Sequence, residues 1–218
     1  MYGIGTTYTV SKMDEVLNIM SVNGYNDTDV LNVYVAGSRL YGNITDVSDH
    51  DYVIIVCAYS NNNDNHNIRH NNVDLTVISV EDMNRVLSEH NVQRLINIFT
   101  PSEFILRSEI TFTFVLDCGR LRSAVSEISN KCMHHAKRSW HEGDHYKSKK
   151  HLVHSIRYVE FAIQIVQHGT IIDMTVSNPH STEIMAEDNT LGWKYFHDKY
   201  GTIAKNLYKN EFLSILPS

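Results

Sequence analysis

Three apolar segments in the first 80 residues constrain the fold more than any other feature of this sequence. LNVYVAG, DYVIIVCAY and VDLTVISV have the length of strands, are rich in β-branched residues and are separated by polar, turn-rich sequence. The unbroken apolar run of the second is typical of a central strand buried on both faces. We therefore predict a small sheet in the first half of the chain, with a helix starting at Ser11 before its first strand.

The second half of the chain has the periodicity of helices. The clearest example is a set of apolar residues that recur at alternating spacings of four and three, which places them on one buried face of a helix. These residues are Leu152, Ile156, Val159, Ile163 and Val166.

Helices are predicted over 81–107, 108–140, 147–168 and 190–210. The predicted fold class is therefore α+β, in which a small mixed sheet with flanking helices is followed by a helical subdomain. We place the two domains at 1–115 and 116–218.

The cysteines and the hydropathy indicate a cellular location. Cys57, Cys118 and Cys132 are widely separated and odd in number, which fits a reducing compartment better than a disulfide framework. No apolar run approaches the roughly 20 residues that span a bilayer, and the first residues lack the blocks of a signal peptide. We expect a cytoplasmic protein with no membrane partner.

The charge distribution identifies one basic segment in an otherwise acidic chain. The net charge is −6, yet Lys131 to Arg157 contains seven Lys or Arg residues, six His and only two acidic residues. Such a segment either steers a nucleotide or RNA to a cleft or forms a solvated helix face and loop. A zinc site is disfavoured, since no standard ligand spacing is met by Cys132, His134, His135, His141 and His145.

Acidic residues open two of the predicted strands. Asp49 lies two residues before the DYVIIV segment, and Asp51 is its first residue. Asp74 lies near the start of VDLTVIS. Residues i and i+2 of a strand point to the same face, so Asp49 and Asp51 form a pair that Asp74 completes if its strand lies alongside. Carboxylate oxygens suit Mg²⁺ or Mn²⁺, and a pair of such ions stabilises the attacking and leaving oxygens in phosphoryl chemistry. Asp74 is either a third ligand or the base.

A Gly-Ser turn closes the first predicted strand. Gly37 permits close approach of the backbone to a phosphate, and Ser38 adds a hydroxyl and an N–H donor. Arg39 either joins this phosphate cradle or supports the loop from outside. Ten residues separate the Gly-Ser pair from Asp49, and this order of strand, turn, acidic pair and second acidic strand predicts neighbouring phosphate and metal sites.

The segment VAGSRLYGNITDVSDHDYVIIV resembles the signature of polymerase β-like nucleotidyltransferases, in which Gly-Ser is followed by a paired acidic motif. Asp74 matches the third carboxylate of that family. The Gly-Ser-x-x-Tyr-Gly and Ser-Asp-x-Asp forms are similar to the predicted nucleotidyltransferases associated with RNA repair. The resemblance covers about residues 31 to 80 and, more loosely, 150 to 169. At position 50, His replaces the apolar residue more usual there.

Lys150, His154 and Arg157 have the Lys-x-x-x-His-x-x-Arg spacing of a helical motif in the RNA-repair group. Spacings of four and three project all three from one side of a helix, where they either bind a phosphate chain or pair with acids such as Glu160. The resemblance implies a palm-like catalytic domain at 1–115 and a helical subdomain that closes over the nucleotide.

The activity implied is transfer of a nucleoside monophosphate from an NTP, such as ATP, to a hydroxyl. That hydroxyl is an RNA 3′ end in the RNA-repair interpretation. Modification of a protein hydroxyl (AMPylation), as in antitoxin-like members of the superfamily, is an alternative. A non-catalytic module that binds nucleotide or RNA is another, and the complete acidic triad argues against it.

Overall fold

The computed structural model describes residues 4–46, 48–59 and 67–217, with side chains from residue 11 onward. The chain divides into two compact units. The first is Met1–Leu87 with Thr100–Thr113, and the second is Ser88–Phe99 with Phe114–Ser218. The division into domains at 1–115 and 116–218 stays a prediction.

The first unit is built on a mixed sheet, which confirms the predicted α+β class. Its strands are β1 (Val30–Val35), β2 (His50–Val56), β3 (Asn67–His70), β4 (Val73–Ser79) and β5 (Ile105–Ser108). Among the described residues the sheet has five strands in the order β3-β4-β2-β1-β5. β2 and β4 pair in parallel, whereas the other neighbours pair antiparallel. Parallel strands begin at the same edge of a sheet, so the starts of β2 and β4 lie together.

Two strands lie where sequence patterning gave no strand. β3 falls within the Asn-rich segment SNNNDNHNIRHNN, whose composition suits a flexible hairpin or loop, and it pairs antiparallel with β4 as the arm of a hairpin. Residues 60–66 of that segment lie outside the described residues. β5 spans the boundary between the predicted helices 81–107 and 108–140, and both predictions were wrong at these residues. Both strands span four residues at an edge of the sheet, too few for a period of two to be distinguished from a helical period.

The helices of the first unit are α1 (Ile4–Val22), the single turn α2 (Gly37–Leu40) and α3 (Val80–Ser88). α1 contributes Val16, Ile19 and Met20 to a core shared with Val33 and Ile54 of the sheet. All five are at most 4% exposed, and full burial of such a side chain is worth about 1.5–3 kcal/mol relative to exposure. This core holds α1 against the sheet that carries the acidic residues.

The second unit consists of helices. They are α4 (Val92–Ile98), α5 (Cys118–His141), α6 (His145–His168), α7 (Asn178–Ala186), α8 (Gly192–Phe196), α9 (Thr202–Asn206) and α10 (Leu213–Ile215). The backbone is π-helical between α8 and α9 and again between α9 and α10. α7 lies in the stretch between the predicted helices 147–168 and 190–210.

α5 and α6 form a hairpin whose turn has clear local causes. Gly143 adopts a φ of +83° between the two helices, a conformation that favours glycine. Asp144 then caps α6, because its side chain accepts a hydrogen bond from the Lys147 N–H at 2.9 Å. Leu152 and Ile156 of the predicted apolar face are fully buried. In the described part of the chain, no helix combines the length and the apolar character needed to cross a bilayer.

Candidate functional site

The turn after β1 brings the backbone against the second acidic residue of the pair. Ala36 N–H donates to the Asp51 carbonyl at 2.8 Å, and Asn43 N–H donates to the Ser38 carbonyl at 2.9 Å. Gly37 has a φ of +62°. A Cβ at Gly37 would lie 1.9 Å from Asp51 Oδ2, a separation that no side chain tolerates. Glycine is therefore required here both by the backbone conformation and by the closeness of Asp51.

The parallel pairing of β2 and β4 brings Asp51 and Asp74 together. The two residues are direct partners in the register, each the second residue of its strand. β3 adds Arg69 opposite Asp74 in the antiparallel register. Arg69 Nε lies 3.3 Å from Asp74 Oδ1, and Arg69 Nη2 lies 3.2 Å from Asp49 Oδ2. The carboxylates of Asp49 and Asp74 thus converge on one cationic group.

The donor set has the chemistry of a hard-cation site. Asp49, Asp51 and Asp74 offer only carboxylate oxygens, the ligands that Mg²⁺ and Mn²⁺ prefer. Asp74 Oδ1 is buried and accepts no hydrogen bond within the described structure, and the guanidinium Nε of Arg69 lies 3.3 Å from it as an ion-pair partner. In the same residues, no group of three or more His, Cys, Asp or Glu side chains has the arrangement of metal ligands. The guanidinium of Arg69 contacts two of the three carboxylates. The metal assignment therefore stays a prediction supported by ligand type.

Arg39 contacts the loop that leads into β2. Its Nη2 lies 3.2 Å from His50 Nε2 and 3.5 Å from the Ser48 carbonyl. Burial, followed by the nearby charge of Arg39 and that of Lys12, lowers the pKa of His50. This shift favours the neutral ring, whose Nε2 can accept from Arg39. Of the two alternatives left open by the sequence, these contacts favour support of the loop. The role of Arg39 in phosphate binding stays a prediction.

The comparisons with known proteins give structural matches alone. Neither a protein-family model nor a curated protein matches the sequence. The spectinomycin adenyltransferase of Enterococcus faecialis, solved with ATP and spectinomycin, is 13% identical, with coverage of 92% of this chain and 99% of that protein at a TM-score of 0.52. This chain has a nucleotidyltransferase fold.

A second solved structure belongs to a nucleotidyltransferase-like protein of Exiguobacterium sibiricum 255-15. It is 11% identical, with coverage of 90% of this chain and 76% of that protein at a TM-score of 0.33, which is too low to support an argument. The fold agrees with the resemblance to polymerase β-like nucleotidyltransferases. The RNA-repair subgroup stays a prediction.

The three residues of the helical motif in α6 differ in how exposed they are to solvent. Lys150 is exposed and His154 is partly buried, whereas Arg157 is only 3% exposed. Arg157 Nη1 lies 3.5 Å from His154 Nδ1, and the His154 ring stacks on Tyr158 with centroids 5.6 Å apart. Phosphate binding by Lys150, His154 and Arg157 stays a prediction.

His154 carries no positive charge near neutral pH. Burial, followed by the positive charges of Arg157 and Lys150, lowers the pKa of His154 to about 3. Any contribution of His154 to phosphate binding therefore comes from an N–H donor of the neutral ring.

The neutral state of His154 predicts a stability that depends on pH. The folded pKa lies below the unfolded value, so unfolding takes up a proton and the free energy of unfolding falls as pH drops below about 6.5. Between pH 7.5 and pH 5.0, His154→Gln should lose about 1–2 kcal/mol less of that free energy than the wild type. Urea denaturation at the two pH values measures the difference. The exposed His168 provides the control variant His168→Gln, and equal losses in wild type and His154→Gln would contradict the assignment.

The structure also bears on the disfavoured zinc interpretation. Cys132 is 7% exposed, and burial raises the pKa of its thiol to about 12. Without a bound metal, the Cys132 thiol is therefore protonated near neutral pH. Among the described residues, the histidines of this segment join no metal-binding group.

Arg69 is the site residue that sequence reasoning missed. It lies in an Asn-rich segment whose polar composition indicates a loop. Its proximity to Asp49 and Asp74 arises from the pairing of β3 with β4. A short Ile-Arg-His stretch directly before the Asn-Asn turn was the one available signal of a hairpin arm.

Proposed function

We propose that this chain is a metal-dependent nucleotidyltransferase that moves a nucleoside monophosphate from an NTP to a hydroxyl. The observation that carries the proposal is the register of Asp51 with Asp74, beside a Gly37 that has no room for a side chain. Asp49 shares a cationic partner with Asp74. The fold shared with an adenyltransferase that was solved with ATP supports ATP as the nucleotide.

Each residue of the site has a proposed role in metal binding, phosphate binding or proton transfer. Asp49, Asp51 and Asp74 would hold Mg²⁺ or Mn²⁺, which shields the charge of the triphosphate and of the transition state. Gly37 and Ser38 would bind phosphate through the backbone and the Ser hydroxyl. The acceptor oxygen bonds to the α-phosphorus, the bond from that phosphorus to the pyrophosphate oxygen breaks, and the hydroxyl proton passes to a base, which is Asp74 if that residue is not fully engaged as a ligand.

A cluster of basic groups on the α5–α6 hairpin supports RNA as the acceptor. The rings of His135 and His151 lie edge to face with centroids 5.3 Å apart. His151 is partly buried, and its pKa is lowered by burial and by the positive charges of His135, Lys147, Arg138 and Lys150. The positive charges of Lys147, Arg138 and Lys150 lie close to one another and repel, and a polyanion relieves that repulsion. We call these five residues the hairpin cluster.

RNA binding by the hairpin cluster predicts a specific salt dependence. Arg138→Gln/Lys147→Gln should weaken binding of a labelled tRNA about tenfold and reduce the slope of log affinity against log salt by about 1.4, since each single-strand phosphate contact accounts for about 0.7. Fluorescence anisotropy at several salt concentrations measures both quantities. The control is Lys205→Gln/Lys209→Gln, which removes two exposed positive charges from the C-terminal helices. Equal effects of the two pairs would reject the hairpin cluster as an RNA site.

The solved adenyltransferase adds a small molecule as a further acceptor class, because spectinomycin is present in its crystal. Purified protein is incubated with Mg²⁺, each α-³²P-labelled NTP in turn, and tRNA, total protein or spectinomycin in separate reactions. Label on one acceptor that is absent with Asp49→Ala/Asp51→Ala supports the proposal and identifies the acceptor. Ribonuclease-resistant label on protein would instead favour the protein-modifying alternative. Nucleotide binding without transfer to any acceptor would favour the binding module.

A further inference from the structure

Arg69, at the edge of the sheet, forms ion pairs with two acidic residues of the site. It lies on β3, directly opposite Asp74 in the antiparallel register, and its guanidinium bridges Asp74 Oδ1 and Asp49 Oδ2 at 3.3 and 3.2 Å. The two carboxylates repel each other, and the single guanidinium between them offsets that repulsion. Arg69 thus acts as the counter-ion of two of the three proposed metal ligands.

A divalent cation and this guanidinium compete for the same two oxygens. Mg²⁺ binds carboxylate oxygens at about 2.0–2.1 Å, so an ion bound to both Asp49 and Asp74 would lie within the space between them and Arg69. Two positive groups at that separation repel strongly. The Arg69 side chain is 68% exposed, and exposed ion pairs are weak. Arg69 can therefore move away into solvent when the ion binds.

We propose that Arg69 is a displaceable counter-ion: it holds Asp49 and Asp74 together until the metal arrives, then moves aside and donates to the phosphates of the nucleotide. The inference rests on the proposed function. A guanidinium has five N–H donors in a planar fork that matches phosphate oxygens. Because the backbone of Arg69 stays opposite Asp74 on β3, the displaced guanidinium would remain close to ions held by that carboxylate. The same residue thus opposes metal binding without nucleotide and favours nucleotide binding with metal.

The two roles of Arg69 predict effects of opposite sign for Arg69→Gln. Mn²⁺ alone, measured by isothermal titration calorimetry, should bind about 3- to 10-fold more tightly to this variant than to the wild type, since a competitor of low affinity is removed. A non-hydrolysable ATP analogue with saturating Mn²⁺ should bind about 3- to 10-fold more weakly, because one charged phosphate donor is lost. No uniform change in net charge produces both results.

The matched control is Arg85→Gln. Arg85 belongs to the same unit and is also exposed, and its ion pair with Asp82 is 2.7 Å long. This variant removes the same charge without touching the proposed ligands and should change neither affinity. Circular dichroism checks that all variants remain folded.

The outcomes separate this inference from the proposed function. If Asp49→Asn weakens Mn²⁺ binding but Arg69→Gln has the affinity of the wild type, the counter-ion role is overturned and the metal site stands. If Arg69→Gln binds Mn²⁺ more tightly but the nucleotide equally well, the phosphate role is overturned. If neither the wild type nor Arg69→Gln binds Mn²⁺, the inference and the metal-dependent function fall together.

Discussion

Replacing Asp51 by Asn is expected to reduce nucleotidyl transfer by about 10²–10³-fold, because metal stabilisation of the developing charge is worth several kcal/mol. Asp51 is the register partner of Asp74 and lies against the Gly37 turn. Asn keeps the shape of Asp and removes its charge, so the fold should be retained. The rate of label transfer at saturating ATP over a range of Mg²⁺ concentrations measures the effect, and weakened metal binding would appear as a higher Mg²⁺ requirement.

The exposed Asp46 of the same unit provides the matched control. Asp46→Asn removes an identical charge from the loop before the acidic pair and should leave the rate within about twofold of the wild type, since surface substitutions are usually small in effect. Transfer by Asp51→Asn at the wild-type rate would remove Asp51 from the mechanism.

Replacing Gly37 by Ala is expected to cost both stability and activity. The positive φ penalises any side chain by about 1–2 kcal/mol, and the new Cβ would lie 1.9 Å from Asp51 Oδ2. Asp51 must therefore move by about an ångström or more, and a displacement of about 1 Å can cost about 10²-fold in rate. Thermal denaturation reports the strain, and the transfer rate of the folded variant reports the displaced carboxylate.

Gly143→Ala separates backbone strain from the collision with Asp51. Gly143 also has a positive φ, +83°, but a Cβ there would meet no described atom within 4 Å. Gly143→Ala should therefore lose only the stability that backbone strain costs, while Gly37→Ala should lose more stability and should alone lose activity. Equal losses of activity would show that the close approach of Gly37 to Asp51 has no part in transfer.

The sequence was sufficient to predict β1, β2 and β4, because each is a β-branched run next to polar turns. The order of these strands within the sheet could not be predicted from the sequence. The direct pairing of Asp51 with Asp74 depends on the parallel register of β2 and β4, a tertiary contact that the spacing of the two residues along the chain does not specify. Sequence spacing therefore indicated the acidic residues as candidates but not their contacts.

The residues missed or misread are those whose environment is determined by distant parts of the chain. Arg69 reaches Asp49 across 20 positions of sequence, and no periodicity indicates such a contact. The helical spacing of Lys150, His154 and Arg157 predicted that the three residues share one side of a helix, yet burial differs along that side. Arg157 is almost fully buried, and the histidine between them loses its charge through desolvation, an effect that only packing reveals.

The central claim, transfer of a nucleoside monophosphate, is tested most directly by following the two ends of ATP in parallel reactions. Wild-type protein is incubated with Mg²⁺ and the acceptor, using either α-³²P-ATP or γ-³²P-ATP. The proposed function predicts that the α-label becomes attached to the acceptor while the γ-label is released as pyrophosphate, and that Asp51→Asn slows both by about 10²–10³-fold. Attachment of the γ-label to the acceptor, or release of inorganic phosphate in place of pyrophosphate, would contradict it.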